Sequence, residues 1–277
     1  MAKRNRFARP TPDGKIEQLT SSRIFRPNES ADDADMTETT DTTDRSNSVF
    51  AVYKPKGITS AKFLDRVKAE LFGIGPRTGP RAGPRAGPRA RIKMGHGGTL
   101  DPNATGVLVV ATGSKTKSLP EYTHGGKIYI GTIHLGHITD TYDEAGTKTF
   151  VSAEVPPLET IATLLTTDFT GTIDQVPPAY SAIHIDGKRA YDLAREKKEF
   201  KMPTRKVTIS RIDLVEYKYP ILKIRVECGA GTYIRSIAHD LGTRLGCGAY
   251  LKDLERIASG RFTVDDCIRL DPPAQTT

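Results

Sequence analysis

The sequence predicts an α+β domain with a mixed sheet, and three observations point there. Strand-like and helix-like segments alternate without a βαβ rhythm. Val107–Ala111 is an unbroken apolar run, rich in β-branched residues and as long as a buried strand. The chain has 277 residues, enough for one large domain or one and a half with a sizeable core.

The elements follow in order. Residues 1–47 read as a disordered tail, basic at first (Lys3, Arg4, Arg6, Arg9) and then acidic and Thr/Ser-rich, with few apolar residues to offset ordering entropy. The ordered part is expected to span 48–270. Val49–Tyr53 reads as a short strand ending in the turn Lys54-Pro-Lys-Gly57. Ser60 is placed to cap a helix carrying Phe63, Leu64, Val67 and Leu71 on one face. A period-four Gly-Pro-Arg repeat follows. Its segment 77–91 carries Arg77, Arg81, Arg85, Arg89 and Arg91. Gly and Pro at that density exclude a helix or a central strand, leaving a flexible linker or an RNA-contacting arm. Such an arm would bind in a salt-dependent way.

Lys93–Gly106 reads as a rigid loop presenting one carboxylate. Gly97 and Gly98 permit torsions that other residues resist, and Pro102 biases Asp101 away from the helical region. After the buried strand, Lys127–Leu135 alternates as a strand does, and residues 136–146 form a polar loop. Leu158–Phe169 has helical spacing, and residues 175–189 lead into a charged helix, Ala190–Lys198. Lys206–Tyr217 and Ile221–Cys228 read as a strand pair. Tyr233–Leu245 reads as a helix closed by Gly246, and Tyr250–Ile257 as a helix or a strand.

Composition bounds the function classes. The net charge of +8 and pI of about 9.3 favour a polyanionic partner. Cys228, Cys247 and Cys267 have no CxxC spacing, which argues against zinc or a disulfide scaffold and for a reducing compartment. No apolar run reaches the length of a membrane span, and the start of the chain has no apolar signal core.

The string Gly95-His-Gly-Gly-Thr-Leu-Asp101-Pro-Asn-Ala-Thr-Gly106-Val-Leu closely resembles the central motif of the TruB-type pseudouridine synthases. The resemblance extends from Val49 to about Leu270. It implies the pseudouridine synthase fold, with a mixed, largely antiparallel central sheet flanked by helices and an RNA-gripping insertion at 175–205. It also implies conversion of the T-loop uridine of tRNA, position 55, to pseudouridine, with Asp101 as the essential catalytic residue. Tyr129 matches the tyrosine that stacks on the flipped uracil. Gly231-Thr-Tyr233-Ile-Arg235 matches the element whose arginine pairs with that aspartate. The chemistry asks for this pairing, since a carboxylate acting as nucleophile or base must be ionised and a neighbouring guanidinium favours that form.

By the same resemblance Leu254 packs against the target base, His96 aids RNA docking and Asp143 lies in a loop touching RNA. Tyr233, Lys54, Lys188 and Arg189 complete the expected substrate contacts, Lys54 chiefly as support behind the site. Asn103 departs from the family pattern. Residues 271–277 read as a short tail in place of the further RNA-binding domain that many relatives carry. The resulting reading is a stand-alone enzyme binding the tRNA T-arm, with no cofactor, metal, membrane or obligatory protein partner. It is expected to be monomeric and cytoplasmic, with a nuclear or mitochondrial location as the alternative. Two other functions stay open: a catalytically silent tRNA-binding or folding protein, and a guide-RNA-dependent pseudouridine synthase.

Overall fold

A computed structural model describes residues 45–74, 92–185, 187–196 and 198–271. Residues 1–44 of the expected tail, the Gly-Pro-Arg repeat 77–91 and residues 272–277 lie outside the described residues. The elements in chain order are β1 (Val49–Lys54), α1 (Ser60–Phe72), β2 (Met94–His96), β3 (Ala104–Thr112), α2 (Leu119–His124), β4 (Lys127–Leu135), β5 (His137–Thr139), β6 (Lys148–Phe150), α3 (Leu158–Thr167), β7 (Gly171–Gln175), β8 (His184–Ile185), β9 (Lys188–Arg189), α4 (Ala190–Arg195), β10 (Arg205–Lys218), β11 (Ile221–Cys228), α5 (Ile234–Arg244), β12 (Ala249–Ser259), β13 (Phe262–Thr263) and β14 (Cys267–Ile268). The main sheet runs β14-β1-β3-β12-β4-β11-β10-β7, with β2 added to β3 and β13 to β12. Only β1–β14 and β3–β12 pair in parallel, so the sheet is mixed and largely antiparallel, as the sequence predicts.

The apolar run at Val107–Ala111 is explained by cover on both faces of β3. Leu108 and Val110 join Phe50, Val52, Phe63, Leu64 and Val67 beneath α1. Val107 and Val109 point the other way, with Ala51, onto Tyr122, Phe262 and Val264. The largest core lies under α3 and α5, where Ile161, Leu165, Ile237 and Leu241 meet Ile133, Ile224, Leu222 and Leu251 of the central strands. Gly242 of α5 permits the close approach of helix to sheet, because a Cβ there would lie 2.1 Å from the Ala249 nitrogen at the start of β12.

Two local expectations change, and one left open is decided. The N-cap of α1 is Thr59, whose hydroxyl accepts from the Lys62 N–H. Ser60 instead exchanges two hydrogen bonds of 2.8 Å with the backbone of Leu100, tying α1 to the loop that carries Asp101. α4 ends at Arg195 rather than Lys198, since the charged residues that follow have no apolar side to bury. Tyr250–Ile257 lies within strand β12. Register shifts between Leu251 and Asp253 and between Arg256 and Ala258 break its alternation, which is why the pattern alone leaves helix and strand open. No helix among the described residues is long and apolar enough to cross a membrane.

The parallel pairing of β3 with β12 depends on Gly106, which faces Arg256 in register. Its φ is +106°, and a Cβ there would sit 2.2 Å from the Arg256 carbonyl oxygen. Gly106→Ala is expected to lower unfolding stability by about 3 kcal/mol or more in urea titrations, combining left-handed strain with a backbone clash. An unchanged midpoint would contradict this packing.

Candidate active site

Asp101 stands on a loop fixed from several sides. The Asp101 carbonyl accepts from Ala104 N–H, and Pro102 O accepts from Gly57 N–H. Beneath the loop, fully buried Lys54 donates to the carbonyls of Pro55, Pro102 and Ala104 at 3.0, 3.1 and 2.7 Å. This ammonium serves the loop from inside the protein. Burial pushes its pKa down to about 8 in spite of the opposing attraction of Asp101, and the positive charge of Arg256 adds to the drop.

Arg235, near the start of α5, is the centre of the site. Its Nε lies 2.9 Å from Asp101 Oδ2 as an ion pair without aligned hydrogen-bond geometry. Nη1 donates to Thr141 O at 3.2 Å, and both terminal nitrogens donate to Tyr180 O at 3.1 Å. Asp143 Oδ2 lies 3.6 Å from Nη1. The other Asp143 oxygen accepts from the Thr141 hydroxyl at 2.7 Å and the Ala145 N–H at 3.0 Å. Asp143 is therefore built into the site. The Arg235 side chain is 6% exposed and that of Asp101 40%, so a solvent-open carboxylate is backed by a buried guanidinium. Gln175, itself buried, sets the start of α5: its side-chain oxygen accepts from Tyr233 N–H at 2.8 Å and its amide donates to Tyr233 O at 3.1 Å.

A cleft over this pair is lined by Asp101, Asp143, Arg235 and Leu254, together with Asn103, Ala104, Glu144, Leu251, Lys252 and Asp253. The structure thus brings four of the expected residues to one cleft. Tyr129 is not among its lining residues. It is buried in the main core, in register with Arg256 on β12. Burial raises its phenol pKa, while the charge of Arg256 and a side-chain hydrogen bond to it act in the opposite direction. His96, at the end of β2, is half-buried, with an unpartnered Nδ1 and a pKa lowered first by burial and then by Arg256. Tyr233 is half-buried ahead of α5, its pKa raised by burial. Lys188 and Arg189 are exposed on the small β8–β9 hairpin and do not line the cleft.

Sequence reasoning missed two buried cations. Arg256 is 1% exposed and donates to Val107 O at 2.7 Å and Gly98 O at 3.1 Å. Lys127 donates to the carbonyls of Tyr122, Thr123 and Gly125 as α2 ends. Neither forms a salt bridge among the described residues. Nor does any grouping of His, Cys, Asp and Glu among them suit a metal ion.

A crystal structure of a Cbf5–Nop10–Gar1 complex matches this fold with a TM-score of 0.59 and 28% identity, covering 83% of this chain and 54% of that one. The fold is that of the pseudouridine synthases, and the chain spans about half the length of that solved chain. The model of the TruB family pseudouridylate synthase N-terminal domain matches residues 87–234, and that of the tRNA pseudouridylate synthase B C-terminal domain matches residues 235–272. The tRNA pseudouridine synthase B of Clostridium novyi is 41% identical over 225 residues, covering 81% of this chain and 71% of the relative. Its counterpart in Chlamydia trachomatis serovar L2 is 42% identical over 221 residues, covering 79% and 83%. The chain belongs to the TruB family.

Replacing Lys54 by Met leaves three carbonyls without their donor, and is expected to cost about 2–4 kcal/mol of unfolding stability near neutral pH. Folded Lys54 gives up its proton near pH 8, whereas the unfolded chain holds it to about 10.5. The folded state binds fewer protons in that window, so stability contributed by Lys54 rises with pH there. Urea titrations of wild type and Lys54→Met should diverge further from pH 8 toward 10.5. A gap that narrows would contradict the assignment.

Proposed function

We propose that this chain isomerises uridine to pseudouridine at position 55 in the T loop of tRNA, acting alone in the cytoplasm. The observation that carries the reading is the Asp101–Arg235 pair at a cleft flanked by Leu254. Membership of the TruB family and relatives named tRNA pseudouridine synthase B supply the substrate.

The target base is stacked in a folded loop and must be flipped out to be reached. Basic surface holds the phosphates, with Lys188 and Arg189 on their hairpin as two of the contacts and His96 aiding docking. Leu254 packs on the extruded uracil. Tyr129 is the ring that stacks on the flipped base, by the match of its position to the family tyrosine. Asp101 then attacks the nucleoside or removes a ribose proton, and the N1–C1′ bond breaks. The uracil turns and rejoins through C5 as the Asp101–C1′ bond breaks or, in the other route, as Asp101 returns the proton to the ribose, so the carboxylate is regenerated. C5 loses its proton and N1 gains one, so the product is an isomer and no redox equivalent is consumed. Arg235 holds the Asp101 carboxylate toward the reacting ribose throughout.

The reading is tested by mapping pseudouridine in a tRNA transcript incubated with purified wild type and Asp101→Asn. Modification at the T-loop uridine by wild type alone is the expected result. Tight tRNA binding without modification by either protein would favour a silent RNA-folding protein. Modification only after adding a guide RNA and partner proteins would favour guided action.

A further inference from the structure

The acceptors that hold the inner edge of Arg235, Thr141 O and the Asp143 carboxylate, belong to a loop between two three-residue strands. Its anchorage centres on Tyr142. The φ of Tyr142 is +62°, the only positive φ at a non-glycine among the described residues. A bulky aromatic residue enters that region only where its surroundings compel it. Here the Tyr142 ring lies flat on the imidazole of His239, with centroids 3.7 Å apart and planes within 6°. His239 sits four residues after Arg235 on α5, hence on the same side of the helix. Burial lowers the pKa of His239, so a neutral ring stacks. The backbone closes the arrangement: Leu251 N–H donates to Tyr142 O at 3.0 Å, and Glu144 N–H to Leu251 O at 2.9 Å.

We propose that the Tyr142–His239 stack is a positioning device that clamps the 140–147 loop onto α5, so that Thr141 and Asp143 aim the Arg235 guanidinium at Asp101. Neither ring lines the cleft, so both act through Arg235. The activity readout rests on the proposed pseudouridine formation.

The test compares Tyr142→Gly and His239→Ala with Tyr142→Phe and His239→Phe. Glycine suits a φ of +62°, so Tyr142→Gly should fold at least as stably as wild type while losing the stack. At saturating tRNA its turnover should fall about tenfold or more, as expected when a catalytic geometry loosens, with tRNA affinity unchanged. His239→Ala should behave alike, and both Phe variants should keep wild-type turnover. Wild-type turnover in Tyr142→Gly, or equal losses in the Gly and Phe variants, would overturn the proposal. The NMR signal of the Arg235 Nε–H group gives a second readout, independent of activity. It should become mobile in Tyr142→Gly and stay ordered in Tyr142→Phe, and equal order in both would overturn the clamp. If wild type itself makes no pseudouridine, the proposed function fails and the Arg235 signal alone decides.

Discussion

Burying the guanidinium of Arg235 constrains this structure more than any other single placement. Taking that charge from water costs several kcal/mol unless acceptors surround it. The acceptors come from three stretches of chain that are far apart in sequence: Asp101, Thr141 with Asp143, and the carbonyl of Tyr180. Each of these loops is therefore held where the guanidinium needs it. The position of Arg235 follows in turn from α5, which Gly242 lets sit against β12 and Gln175 ties down at its start.

A second constraint lies under the Asp101 loop. Lys54, Lys127 and Arg256 are all buried, and each is satisfied by main-chain carbonyls. Among the described residues none of them forms a salt bridge to a carboxylate. Carbonyl oxygens satisfy the donors without neutralising the charge. The same cations stiffen the loop, since Lys54 and Arg256 bond to the backbone on either side of Asp101 through Pro102, Ala104 and Gly98. Charge and rigidity come from the same side chains.

Much of this was legible in the chain. Asp101 between a glycine turn and a proline marks itself as a presented carboxylate. The alternation of Lys127–Leu135 and the apolar run before it foretell β4 and β3. The meeting of Arg235 with Asp101 follows from the family motif, because nothing in the spacing of residues 101 and 235 states it. What stayed hidden depends on partners distant in sequence. Arg256 reads as one more surface cation until β12 is known to run between β3 and β4. Ser60 reads as a helix cap until Leu100 is seen to take its hydroxyl. Gln175 has no local signature at all. The strand β12 was obscured by two bulges that bend its periodicity, and the strain at Tyr142 leaves no trace in residue order.

Arg235, oriented by the bonds of its fork to Thr141 and Tyr180, holds Asp101 in working geometry through more than its charge. The direct test is the single-turnover rate of pseudouridine formation at saturating tRNA for Arg235→Lys against wild type. Lysine keeps the charge but cannot bond Thr141 O and Tyr180 O with a fixed fork while facing Asp101. The rate is expected to fall roughly a hundredfold with tRNA affinity unchanged, the size of effect seen when a preorganised donor is removed. A lysine variant reacting at the wild-type rate would contradict the account.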